Sequence, residues 1–132
     1  MYPNLTEIKS VRTSRAPTPL GPYSQAVVAG GFVFVSGFGP IDPSTGNVPS
    51  AGIKGQTEQI MENVKAVLEE AGTSLQNVTK VTVYLQNASG FKEMNEVYAN
   101  YFGSHKPART TVVTGFLRED FLVTMDAVAI AP

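Results

Sequence analysis

The chain has 132 residues, with 10 Lys and Arg against 11 Asp and Glu, one histidine and no cysteine. That length is one domain's worth, and the near-neutral charge offers no electrostatic footprint for nucleic acid or an anionic membrane. Without cysteine there is no disulfide framework, thiolate nucleophile or zinc-thiolate site, and the lone His105 makes no metal cluster.

No stretch reaches the length of a membrane span, and the first seven residues lack the charged and apolar regions of a secretory signal. The expectation is a cytoplasmic protein whose partners are small molecules or copies of itself. Residues 6–15 alternate loosely, with Ile8 and Val11 among polar neighbours, and read as an edge-like first strand. Three prolines and a glycine in residues 16–22 then fix a stiff, non-helical approach to Tyr23. Residues 25–29 and 32–36, joined by Gly30-Gly31, read as a β-hairpin. Residues 37–49 are rich in turn formers and carry no period, so they read as a loop.

From Gly52 onward, Ile53, Thr57, Ile60, Val64, Val67, Leu68 and Ala71 recur at helical spacing, and Gly72 stops the helix. Residues 78–86 form a strand with Val81, Val83 and Leu85 on one face. After a break at 87–90, Phe91, Met94, Val97, Tyr98, Tyr101 and Phe102 make the apolar stripe of a second helix ending near Gly103. A strand headed by Arg109 follows. Residues 121–130 close the chain as a strand with Phe121, Val123, Met125, Ala127 and Ala129 on one face and Leu122, Thr124, Asp126, Val128 and Ile130 on the other. This order predicts a single α+β domain over residues 1–132, with two helices on one face of a mixed sheet.

The chemistry centres on Lys106-Pro107-Ala108-Arg109-Thr110-Thr111. Proline and alanine bring the chain into the strand at a fixed angle with little bulk beside the guanidinium, a good mount for a receptor of carboxylate or phosphate. The competing reading is an arginine at a strand edge paired with Asp120 or Asp126. Ser36-Gly37 offers a hydroxyl and backbone N–H groups at a strand end, or only a turn. Asn95 is a satisfied buried amide or a pocket donor. There is no phosphate loop, no dinucleotide fingerprint and no G-x-S-x-G elbow.

Gly21-Pro22-Tyr23-Ser24-Gln25, Val35-Ser36-Gly37, Gly46-x-Val48-Pro49, Asn63-Val64, Met94-Asn95-x-x-Tyr98, Pro107-Ala108-Arg109 and Asp126-Ala127-Val128-Ala129 together resemble the YjgF/RidA reactive-intermediate deaminase family, from about Pro17 to the end. The resemblance implies a six-stranded mixed sheet with two helices on one face, assembled as a homotrimer with ligand clefts between subunits. It also implies hydrolysis of enamine or imine intermediates, such as 2-aminoacrylate, to 2-oxo acids and ammonia, without metal or organic cofactor. The family's carboxylate-binding arginine lands on Arg109, its tyrosine on Tyr23, its serine-glycine pair on Ser36 and Gly37, and its helix asparagine on Asn95.

Two positions depart from the family. Thr111 stands where deaminating members carry a cysteine, a change of little weight if the contact there is through backbone. Thr124 stands where they carry a glutamate that orients the hydrolytic water, and a hydroxyl can hold water but not act as a carboxylate base. Two functions follow. One is an imine or enamine hydrolase whose water is held by Thr124, backbone or a neighbouring subunit. The other is a non-catalytic binding or regulatory protein that keeps the arginine pocket for a small carboxylate.

Overall fold

The computed structural model describes residues 6–49 and 52–132. Six strands, β1 (Lys9–Val11), β2 (Ala26–Ala29), β3 (Phe32–Phe38), β4 (Val78–Leu85), β5 (Ala108–Val113) and β6 (Val123–Ile130), form one sheet in the order β1-β2-β3-β6-β4-β5. Only β4 and β5 pair in parallel, joined by helix α2 (Phe91–Phe102); the other pairings are antiparallel. The α+β reading with a mixed sheet and two helices therefore holds.

Local chemistry accounts for the turns. Gly30 and Gly31 both have positive φ (58° and 86°), the requirement of a two-residue hairpin whose twist matches its strands. Helix α1 (Gly52–Glu70) stops at Gly72, φ 85°, where Gly72 N–H donates to the Glu69 carbonyl (3.0 Å) and Thr73 N–H to that of Leu68 (2.9 Å). That pair of bonds satisfies carbonyls the helix end would otherwise leave open.

Both helices lie on one face of the sheet. Val33, Val83, Val123, Met125 and Ala129 bury against Ile60, Met61, Val67 and Leu68 of α1 and Met94 of α2. β6, the last strand in sequence, sits in the middle of the sheet and alternates cleanly, with Val123, Met125, Ala127 and Ala129 buried. The opposite face carries no helix or strand among the described residues and leaves Phe32, Phe34, Val112 and Ile130 exposed.

Several boundaries differ from the sequence reading. The first strand is three residues long rather than ten, because only Lys9 to Val11 find partners on β2. β3 runs two residues further than expected. Between Val35 and Phe38 the register shifts by one residue against β6, a bulge that puts both Val35 and Phe38 into the core and lifts Ser36 and Gly37 out of the ladder. Phe121 is not a strand residue. Its ring packs where a Cβ on Gly39 would stand, 2.3 Å from that position, which ties the loop after β3 to the loop before β6. Phe91, expected on the buried stripe of α2, is exposed at the start of the helix.

Candidate functional site

Three loops wall a cavity of about 470 Å³ at one end of the sheet: the proline-rich segment before Tyr23, the segment after β3, and the segment before β6. A buried carboxamide pins each. Gln25 donates through Nε2 to the carbonyls of Thr13 (3.0 Å) and Pro17 (2.9 Å) and accepts from Thr13 N–H (2.8 Å). Asn63 on α1 donates to the carbonyls of Ile41 (2.9 Å) and Gly39 (3.3 Å). Gln56, also on α1, donates to the Asp120 carbonyl (2.8 Å) and accepts from Leu122 N–H (2.7 Å). A buried amide satisfied on both its ends fixes backbone that has no ladder of its own. All three are almost fully inaccessible, at 2 %, 0 % and 4 % exposure for Gln25, Asn63 and Gln56.

Tyr23, Gly37 and Thr124 all line this cavity. The Tyr23 hydroxyl accepts from Leu20 N–H at 3.3 Å, so its own proton stays free for a ligand. Ser36 is turned away from this use, since its hydroxyl donates to the Ser24 carbonyl at 2.6 Å. Thr124 pairs across the sheet with Tyr84, and next along that face Asp126 accepts the Tyr84 hydroxyl proton at 2.8 Å. That bond, with some burial and the Asp126 charge, pushes the Tyr84 phenol up from its ordinary value. Asp126 is thus committed to Tyr84.

Arg109 lies elsewhere. It is the second residue of the edge strand β5, opposite Val81 of β4 and so on the helix-covered face, and its guanidinium lies over the rings of Tyr98 (4.8 Å) and Phe91 (5.6 Å) of α2. Among the described residues no carboxylate bridges it: Asp120 pairs with Arg118 and Asp126 with Tyr84. Arg118, the arginine at the cavity, is by contrast neutralised by a two-pronged contact with Asp120 (3.1 and 2.8 Å). A guanidinium that lies over two aromatic rings and meets no carboxylate among the described residues is the better anion receptor.

On α2, Asn95 Oδ1 and the Tyr98 hydroxyl are both buried with no hydrogen-bond partner of full geometry among the described residues. Burial pushes the Tyr98 phenol up, although the Arg109 charge and a side-chain contact between the Arg109 guanidinium and the phenol oxygen, short of full hydrogen-bond geometry, oppose the shift. Asn95 is therefore not the satisfied amide that one reading of the sequence offered. Thr111, two residues beyond Arg109, shares its face of β5 and is half-buried.

A single chain thus holds the expected site in two parts. Tyr23, Gly37 and Thr124 meet at the cavity, while Arg109, Asn95 and Thr111 sit at the far edge. β5 is three strands from β3, roughly 14 Å at the usual strand spacing, and Arg109 and Thr124 face opposite sides of the sheet.

The family model described as Endoribonuclease L-PSP matches residues 13–131. The chain belongs to this family. L-PSP relatives include a RutC family protein of Pyrococcus abyssi, 54% identical over 117 residues, covering 89% of this chain and 92% of the relative. Reactive Intermediate Deaminase A of Arabidopsis thaliana is 38% identical, over 90% of this chain and 64% of that one. Among solved L-PSP structures, E. coli TdcF with bound serine superposes with a TM-score of 0.88 at 37% identity, covering 94% of this chain and 99% of that one. RidA of an Antarctic Psychrobacter matches at the same TM-score and identity, over 92% and 98%. The YjgF/RidA resemblance read from the motifs is this family, with its six-stranded mixed sheet and two helices.

Sequence reading missed Tyr98 and Phe91 as supports for Arg109, taking them as core packing. It also missed Gln56 and gave Asn63 no role beyond its place in a family motif, although both fall on the apolar stripe of α1 with Ile60 and Val67, where a polar side chain signals a specific partner. Within the described residues, no group of His, Asp and Glu could hold a metal ion, and no helix is long and apolar enough to cross a membrane.

Proposed function

We propose that the protein hydrolyses reactive enamines and 2-imino acids to 2-oxo acids and ammonia, in a cleft completed by a second subunit of a homotrimer. The observation that carries this reading is Arg109, a guanidinium without a carboxylate partner among the described residues, seated on Tyr98 and Phe91 of the helix that also carries the unpartnered Asn95 side-chain carbonyl. It suits the carboxylate of a 2-imino acid. A relative named for deaminating reactive intermediates and another solved with serine, a small amino acid, support the same ligand chemistry.

The chemistry asks little of the protein. An enamine such as 2-aminoacrylate takes a proton at C3 to become the imine. Water then adds to C2 while nitrogen takes up the proton, and the resulting carbinolamine expels ammonia to leave the 2-oxo acid. Arg109 fixes the carboxylate, and Tyr23, the Gly37 backbone and the Thr124 hydroxyl hold and polarise the water and nitrogen. Because Arg109 and Thr124 stand apart in one chain, the reading requires a neighbour to bring the two parts together. The uncovered apolar face, with Phe32, Phe34, Val112 and Ile130, supplies a surface for that assembly. RNA cleavage, named in the family description, draws no support here, since the only histidine is joined through Nε2 to the Val78 carbonyl and the net charge is −1.

A second reading, a non-catalytic protein that binds small carboxylates, is favoured by one feature. Thr124 provides no carboxylate, and Asp126 is tied to Tyr84. Ammonia release from freshly generated 2-aminoacrylate by wild type and Thr124→Glu separates the two. Measurable wild-type turnover supports the hydrolase, and a carboxylate there should raise kcat by about a hundredfold to ten-thousandfold if water activation limits the rate. Tight binding of carboxylates with no turnover by wild type establishes the binder.

A further inference from the structure

Within a single chain, the cavity beside Tyr23 and Thr124 is far larger than a 2-aminoacrylate needs. At about 470 Å³ it falls in the range of sites for drug-sized molecules, whereas a water occupies about 30 Å³. Its walls are mostly apolar, with Leu20, Pro22, Phe38, Ile41, Leu117 and Phe121 facing it. It is also rigid. The three buried carboxamides Gln25, Gln56 and Asn63 pin its three loops, and the Phe121 ring fills the space a side chain on Gly39 would take. The one cation at the cavity, Arg118, is neutralised by Asp120 and lies over the Phe121 ring at 5.0 Å, so it presents an aromatic and aliphatic surface rather than a second anion receptor.

We infer that this cavity receives the side chain of the substrate and that the protein prefers 2-imino acids with a branched aliphatic or aromatic side chain over those of three carbons. The inference rests on Arg109 as the carboxylate anchor, and it adds what stands at the other end of the ligand. A methyl side chain would leave most of this pocket to water, which apolar walls bind poorly. A larger apolar group displaces that water and is held by walls that need no rearrangement. In an apolar pocket a single methylene changes affinity by about tenfold or more, so three added carbons should be plain to see.

The test is calorimetry with the product analogues pyruvate, 4-methyl-2-oxopentanoate and phenylpyruvate, on the full chain in its native assembly. The expected result is that the two larger acids bind at least tenfold more tightly than pyruvate. Ile41→Trp, which narrows the cavity, should remove that advantage. Leu117→Ser should reduce it by changing a fully exposed lip residue that folding does not need. Equal binding of all three acids by wild type would overturn the side-chain pocket while leaving Arg109 as anchor. Retention of the full preference in both variants would place the apolar contacts elsewhere and overturn it too. Failure of all three to bind would overturn both this inference and the carboxylate anchor.

Discussion

Tyr98 offers the sharpest separation of ring from hydroxyl. Its ring lies 4.8 Å from the Arg109 guanidinium carbon, and its hydroxyl is buried with no partner. Tyr98→Leu removes the aromatic face. A cation over a ring is worth about 0.5–2 kcal/mol, and because Phe91 remains as a second ring at 5.6 Å the loss should be near the middle of that range, about 1 kcal/mol or roughly fivefold in pyruvate affinity. Tyr98→Phe keeps the ring and deletes a polar group whose unpaired burial costs about 1–3 kcal/mol. Binding should therefore stay within about twofold, and Tm should not fall. Calorimetry and thermal melts at one fixed protein concentration read both, the concentration being fixed because assembly shifts Tm. If Tyr98→Phe weakened binding as much as Tyr98→Leu, or lowered Tm, the hydroxyl rather than the ring would be the working group and the reasoning would be wrong.

Two further outcomes follow from the packing. Asn63→Leu leaves the Gly39 and Ile41 carbonyls without their donor, and since both lie only partly buried the cost should be about 2 kcal/mol by chemical denaturation, against under about 0.5 kcal/mol for Lys65→Ala on the exposed side of α1. Equal midpoints for the two variants would dismiss the carboxamide as a loop anchor. The phenols of Tyr84, Tyr98 and Tyr101 are all held above their ordinary value, by the Asp126 bond first at Tyr84 and by burial first at Tyr98 and Tyr101. Unfolded tyrosines lose their protons near pH 10, so the stability these groups contribute is present below that pH and is lost as pH rises toward their folded values. Near-ultraviolet absorbance should show these three ionising late, together with unfolding; an ordinary, fully reversible titration of these three in the folded protein would contradict the Asp126 bond and the burial described.

Much of the fold could be read from the pattern of residues, because both helices and the inner strands each bury one face and advertise it by period. Ile60, Val64, Val67 and Leu68 marked α1, and Val123 to Ala129 marked the alternation of β6. Position in the sheet was a different matter. Nothing in the alternation of β6 says that the last strand inserts between β3 and β4, since that choice is made by long-range pairing. The bulge at Ser36-Gly37 was equally hidden, because one extra residue changes the facing of Phe38 without changing composition. Arg109 stood out through its mount, yet its partners did not. Tyr98 and Phe91 carry the same periodicity as core residues, and the guanidinium comes to lie on them only through the pairing of β5 beside β4. That Arg109 and Thr124 lie on opposite sides of the sheet follows from register across two strand pairs, which local sequence does not encode.

The central claim is that Arg109 binds the carboxylate of an imino acid that the protein then hydrolyses. Ammonia release from freshly generated 2-aminoacrylate, compared for wild type and Arg109→Ala above the spontaneous rate, tests it most directly. Losing a charge-assisted two-pronged contact should lower kcat/KM by about a hundredfold or more while leaving the thermal melt nearly unchanged, since Arg109 pairs with no carboxylate within the described fold. Equal ammonia release by both proteins would contradict the claim.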